Sequence, residues 1–107
     1  MGSNSYRFTD KAKTDLDEIL DYLSSHLGNA PAAKSFYDGL FSKIDSICAF
    51  PNSCEEIANG YAKRRGIRKA LVGSYVVYYV YDEGANLIVL LRIVYGARNL
   101  EEILRLL

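Results

Sequence analysis

Two places in the sequence gather side chains that could do chemistry. The first is Lys-Arg-Arg-Gly-Ile-Arg-Lys at 63–69, five cations within seven residues and no acid among them. Such a run suits a phosphate or an acidic protein surface, although a charge run is more often a solvated connection. On a strand, alternation sends Arg68 and Lys69 to opposite faces, so only part of the run can serve one site. It also lacks the interleaved aromatics of a base-stacking platform. The second place is Tyr95-Gly96-Ala97-Arg98, which closes a long apolar run. There Arg98 is either a binding residue or a surface cation neutralised by Glu101 or Glu102. A phenol with a pKa of about 10 is a poor general base unless its surroundings tune it, so Tyr95 is better suited to packing or to donating a hydrogen bond.

Thiols and imidazoles are scarce: Cys48, Cys54 and His26 are the full set. That is too few ligands for a structural zinc site, and no metal or cofactor is expected. Cys48 and Cys54 are near enough in sequence to pair, but a reducing compartment disfavours it.

The elements that must position these residues follow from periodicity. Ser5–Thr9 reads as a short strand with Tyr6 and Phe8 on one face. Thr9 or Asp10 caps a helix whose apolar stripe is Ala12, Leu16, Ile19, Leu20, Leu23 and Leu27, with Asp15, Asp17, Glu18 and Asp21 largely off it. Gly28 ends that helix. Asn29 caps a second, with Pro31 in its first turn and Phe36, Tyr37, Leu40, Ile44, Ile47 and Cys48 as its stripe. Phe50-Pro51 closes it. A connection this short predicts a helical hairpin.

After an irregular stretch over 52–60 come three strand-like runs, 66–72, 75–81 and 87–95, joined by Gly73-Ser74 and by a turn over 82–86. The last is apolar on both faces apart from Arg92, which marks a central, doubly covered strand. A lone cation there must be paired, and Asp15, Asp17 and Asp21 are the candidate partners. Asn99 then caps a final apolar helical segment with Leu100, Ile103, Leu104 and Leu107. The fold class is α+β, in the order β-α-α-β-β-β(-α), with a helical hairpin on one face of a small, mostly antiparallel sheet.

The chain's 107 residues suit one domain, expected over 5–107, with the first four set aside as a cloning remnant or disordered end. Half the residues are hydrophobic and 24% charged, which fits a folded soluble protein. No apolar run is long enough to cross a membrane, and no signal sequence is evident, so the expected location is the cytoplasm. The formal net charge is zero, yet residues 1–56 carry nine acids and five bases, while 57–107 carry four acids and eight bases. The basic half could face an acidic partner.

Nearly the whole chain resembles the RelE/ParE superfamily of toxins from type II toxin–antitoxin modules. The resemblance rests on Ala12, Asp15, Leu16 and Ile19 in the first helix, on Phe50-Pro51, and on the final hairpin ending in Tyr95-Gly-Ala-Arg98-Asn99. RelE-type members are ribosome-dependent ribonucleases that use cations on the phosphate together with acid–base groups. Here Val76 stands where they commonly place an arginine, Tyr95 where the terminal motif has histidine, and Asn99 where it has aspartate. The resemblance therefore favours the ParE branch, whose best-known action is to block DNA gyrase without covalent chemistry.

That branch implies a toxin neutralised by an antitoxin that folds on binding. The target-binding set is then Arg64, Arg65, Arg68, Lys69, Tyr95 and Arg98. The antitoxin-binding set is Tyr75, Tyr79, Tyr81, Leu104 and Leu107, or the opposite face of the same strand. The alternative class is a messenger-RNA endonuclease acting on the ribosome through Arg68, Arg98 and Tyr95. A second alternative is an inactive binding module.

Overall fold

The computed structural model describes residues 4–57, 66–96 and 103. Strand β1 (Ser5–Phe8) leads into helix α1 (Asp10–Asp21), whose last turn widens into a π-helical turn, Tyr22–His26. Helix α2 (Ala30–Ala49) follows, then strands β2 (Glu55–Glu56), β3 (Arg68–Val72), β4 (Tyr75–Asp82) and β5 (Leu87–Tyr95). The five strands form one sheet in the order β1-β5-β4-β3-β2. All pairings are antiparallel except β1 with β5, which is parallel.

This is the expected α+β architecture with one strand added. β2 pairs Glu55 with Lys69 and Glu56 with Arg68, where the sequence reads as irregular. A two-residue strand is too short to show alternation, and β3 supplies its order.

Local chemistry sets the ends of the elements. The Thr9 hydroxyl accepts from the Ala12 amide at 3.1 Å, and Asn29 Oδ1 accepts from the Ala32 amide at 3.0 Å. Each satisfies an amide that the first helical turn leaves without a partner. Gly28 takes φ +59°, a left-handed conformation that ends the helical run at little cost for a residue without Cβ. The π-helical turn was not expected, and it shifts the helical register by a residue. As a result Leu27 is exposed rather than continuing the buried stripe. Asn4 also belongs to the fold: its amide and side chain both donate to the Cys48 carbonyl, at 3.1 and 2.9 Å.

Both faces of β5 are covered, as its two-sided apolar sequence requires. Under the helices lie Ile88, Leu90 and Ile93, with Val77 and Tyr79 of β4 and Leu40, Ile44 and Ile47 of α2. On the other face Val89, Leu91 and Val94 pack with Ile67, Tyr78 and Ile103. Ile103 is helical and buried, which agrees with a C-terminal helical segment docking on the sheet. Leu100, Leu104 and Leu107 lie outside the described residues.

The side of β5 facing the helices changes parity midway. Tyr79 opposes Leu90, but Tyr78 opposes Arg92, so Leu91 is an extra residue in the ladder. This is a β-bulge. Before it the even-numbered Ile88 and Leu90 face the helices; after it the odd-numbered Ile93 does.

The bulge lies beyond the end of β1, where β5 has no strand on that side. Thr9 and Asp15 take the place of one. The Thr9 amide donates to the Leu90 carbonyl at 3.0 Å, and its hydroxyl donates to the Leu91 carbonyl at 3.1 Å. Asp15 accepts from the Ile93 amide at 2.9 Å and from Arg92 Nε and Nη2 at 2.7 and 3.1 Å. Both charged side chains are about 8% exposed. Asp15, although off the apolar stripe, thus points to the sheet. Arg92 finds one of its three candidate partners.

A buried pair of this kind is costly to break from one side, because the remaining charge has nothing to replace its partner. Asp15→Ala is expected to destabilise the chain by about 3–5 kcal/mol, read as the shift of the urea midpoint. The double variant Asp15→Leu with Arg92→Met should lose markedly less. Equal losses from the single and double variants would show that the carboxylate matters only for the Ile93 amide.

Candidate functional site

At one end of the sheet, the start of β4 and the end of β5 meet helix α1. Gly73, at φ +58°, and Ser74 make the two-residue turn that brings β4 back along β3. The Gly96 amide donates to the Ser74 carbonyl at 2.8 Å and closes this end of the ladder. A Cβ on Gly96 would lie 3.1 Å from that carbonyl oxygen, tight enough that the neighbour would have to give by a few tenths of an ångström.

Tyr75 and Tyr95 sit directly opposite each other. Their rings meet nearly edge to face, with centroids 5.7 Å apart and planes at 73°. Phe36 of α2 packs behind Tyr75 at 4.9 Å. Together with Glu18 and Tyr22 on the helical side, the two tyrosines border a cleft of about 550 Å³. Ile19, Ile93 and Val94 line its apolar part, and Asp15 lies at its base. Tyr22 and Tyr95 are each about half exposed. Burial, and next the neighbouring phenols of Tyr22 and Tyr95, push the Tyr75 phenol above its ordinary value. Tyr75 is therefore a neutral hydrogen-bonding group at physiological pH rather than a base.

The structure separates the residues that the sequence grouped as target-binding. Arg68 and Tyr95 lie at opposite ends of the sheet. Tyr95 pairs with Tyr75, which pairs with Val72, and Arg68 is four residues further along β3. That is about 13 Å along the strand, plus the width of two strand spacings. Arg68 is also committed locally. Its Nη1 donates to the Cys54 carbonyl at 2.6 Å, and its Nη2 lies 3.7 Å from Glu56. It clasps the connection between α2 and β3 to the sheet. Lys69 is on the other face, as alternation requires. The described residues therefore do not join Arg68, Lys69 and Tyr95 into one site, and Arg68 with Tyr95 cannot serve a single phosphate. Arg64, Arg65 and Arg98 lie outside the described residues.

The tyrosines expected to meet an antitoxin occupy the face covered by the helices. Tyr79 is fully buried, and its hydroxyl donates to the Pro51 carbonyl at 3.0 Å. Its role is to anchor the end of α2, and it offers no surface. Tyr81 is half-buried and donates to Asn4 Oδ1 at 3.3 Å. Of the three, Tyr75 alone borders the cleft. On the other face Tyr78 is buried, with Val76 and Val80 partly covered beside it. Leu104 and Leu107 lie outside the described residues. Cys48 and Cys54 are both free thiols.

Sequence reasoning missed Glu18 and Tyr22 as partners of Tyr95. The signal was present, since they are four residues apart and flank Ile19 on one side of α1. It lacked meaning without knowing which end of the sheet that side approaches. No helix among the described residues is long and apolar enough to cross a membrane.

A helical hairpin on a five-stranded mixed sheet, with its first strand parallel to the last, matches the fold of the RelE/ParE toxins. The likeness extends to solved structures. The isolated E. coli RelE toxin superposes with a TM-score of 0.61 at 13% identity, covering 98% of this chain and 100% of that one. A chain of the chromosomal ParDE toxin–antitoxin system from P. aeruginosa gives 0.64 at 20% identity, covering 87% and 96%. A chain of the M. tuberculosis RelBE2 toxin–antitoxin complex gives 0.61 at 17%, covering 88% and 99%. No curated protein matches the chain significantly in sequence. The family model for the ParE toxin of the type II toxin–antitoxin system parDE matches residues 6–100, and the chain belongs to that family.

The burial of Tyr79 has a consequence for alkaline stability. Burial first, then the neighbouring Cys54, push its phenol far above the ordinary value. A raised folded pKa means that the stability it contributes is complete below the unfolded value, about 10. That stability is lost as pH climbs from there towards the folded value. The urea midpoint should fall between pH 9 and 11, and fall less steeply in Tyr79→Phe. The same variant should cost about 1 kcal/mol at pH 7 through the lost Pro51 hydrogen bond. An unchanged slope would show that Tyr79 is not a principal titrating group.

Proposed function

We propose that this toxin arrests growth by binding its target without covalent chemistry, with DNA gyrase as the target, and that a cognate antitoxin silences it in the cytoplasm. The observation that carries this reading is the makeup of the cleft at the end of β5. Phenols and carboxylates border it, and Arg92, the cation that reaches its Asp15, is already committed to that carboxylate. Among its described residues there is no uncommitted cation for a phosphate, which RNA cleavage calls for. The family match to ParE toxins supports the same reading. The ParDE and RelBE2 chains come from toxin–antitoxin systems, which supports an antitoxin as the natural partner.

In this reading Arg64, Arg65, Lys69 and Arg98 supply cations for the target, while Tyr95 is a contact residue and not a base. The sheet face on which Val76 and Val80 are only partly covered offers the antitoxin a surface for a helix or strand, with Leu104 and Leu107 as further expected contacts. Fold likeness to the RelE toxin keeps one competing outcome concrete, namely cleavage of messenger RNA on the ribosome.

Induced expression of the chain alone should arrest growth and raise a DNA-damage response. Purified protein should inhibit gyrase supercoiling in proportion to its concentration, and Arg98→Ala should weaken inhibition at least tenfold. Undiminished supercoiling at a large excess of folded protein would remove gyrase as the target. Cleaved transcripts on translating ribosomes, lost in Arg98→Ala, would establish the nuclease instead.

A further inference from the structure

The cleft beside Tyr95 has a chemical preference of its own. Tyr75 and Tyr95, with planes at 73°, form a corner, and Tyr22 stands on the helical side of the same space. A ring face carries partial negative charge and attracts cations. Two of these three rings are about half exposed, so their surfaces are open to a ligand. Glu18 adds a carboxylate and has no ion-pair partner among the described residues. The second half of α1 carries Asp17, Glu18 and Asp21, with no base in its last turn. Ile19, Ile93 and Val94 supply an apolar wall that suits the methylenes of a long side chain.

We infer that this cleft receives the arginine or lysine side chain of a polypeptide docked on the toxin. The ammonium or guanidinium group lies against the rings of Tyr75 and Tyr95 and pairs with Glu18, while its stem packs on Ile93 and Val94. A phosphate or carboxylate is disfavoured by the described lining, whose phenols and acids offer it no counter-charge. The volume, about 550 Å³, holds one long side chain with part of its backbone. Naming the polypeptide as the antitoxin rests on the function proposed above; the preference for a cation does not.

The test is an amide NMR titration of the full chain with N-acetyl-arginine methylamide, and with its neutral citrulline analogue at matched ionic strength. The arginine probe should give saturable shifts at Glu18, Tyr22, Ile93 and Tyr95, with a Kd on the order of millimolar. The citrulline probe should give none at these positions. Glu18→Gln and Tyr22→Ala each alter an exposed side chain, and each should weaken binding about three- to tenfold. Equal shifts from citrulline, no saturation by 50 mM (on the order of ten times the expected Kd), or unchanged binding in Glu18→Gln would overturn the inference. So would tighter binding of spermidine than of the arginine probe, which would make the occupant a small polyamine. Absence of growth arrest on expression would sink the toxin reading while leaving this titration intact, so the two failures are distinguishable.

Discussion

Asp15 is the residue on which the order of this fold depends. One carboxylate binds the Arg92 guanidinium at two points and the Ile93 amide at a third. It joins the first helix to the last strand across 77 residues of sequence. It also occupies the place where a neighbouring strand would have been, because β1 has already turned into α1. Thr9 shares the task, capping the helix with one lone pair and donating its proton to the Leu91 carbonyl. Among the described residues no buried side-chain polar atom is left without a partner. That is the condition for keeping two charges inside a small core, where an unpaired one would cost several kcal/mol.

Arg92 was legible as an anomaly because it interrupts a run that is otherwise apolar on both faces. The need for a partner followed from physics, and the candidates were three aspartates on the first helix. Choosing among them required the direction in which α1 crosses the sheet. Period alone left Asp15 off the stripe, since a count of apolar residues cannot see a carboxylate aimed inward. The doubly covered strand and the helical hairpin were equally legible, because long, strongly patterned segments carry their own signal. β2, the π-helical turn and the bulge were not. Each involves one or two residues and is imposed by neighbours distant in sequence.

The same division holds at the site. The cationic run at 63–69 looked like one feature because its residues are adjacent in sequence. Within its described part, Arg68 and Lys69 diverge to opposite faces, and Arg68 is spent on a carbonyl and a glutamate. The tyrosines of β4 were placed on the right common face by alternation, but which face the helices cover is a tertiary fact. Once α2 covers it, Tyr79 becomes a core residue, and only Tyr75, at the strand's open end, stays near a surface.

The cleft and the buried pair are not independent. Had β5 continued without its bulge, even-numbered residues would face the helices throughout, and Tyr95 would point to the opposite side. The extra residue at Leu91 reverses that parity, so Ile93 and Tyr95 join Val77 and Tyr75 beneath and beside α1. Asp15 grips the two residues after the extra one, Arg92 by its side chain and Ile93 by its amide. The ion pair thus fixes the irregularity that brings Tyr95 to Tyr75 and to the helical side where Glu18 and Tyr22 stand. A residue whose contacts are wholly structural decides which side chains meet at the end of the sheet that bears the cleft. A fold held in this way can exchange the side chains at the rim without disturbing the strand that presents them.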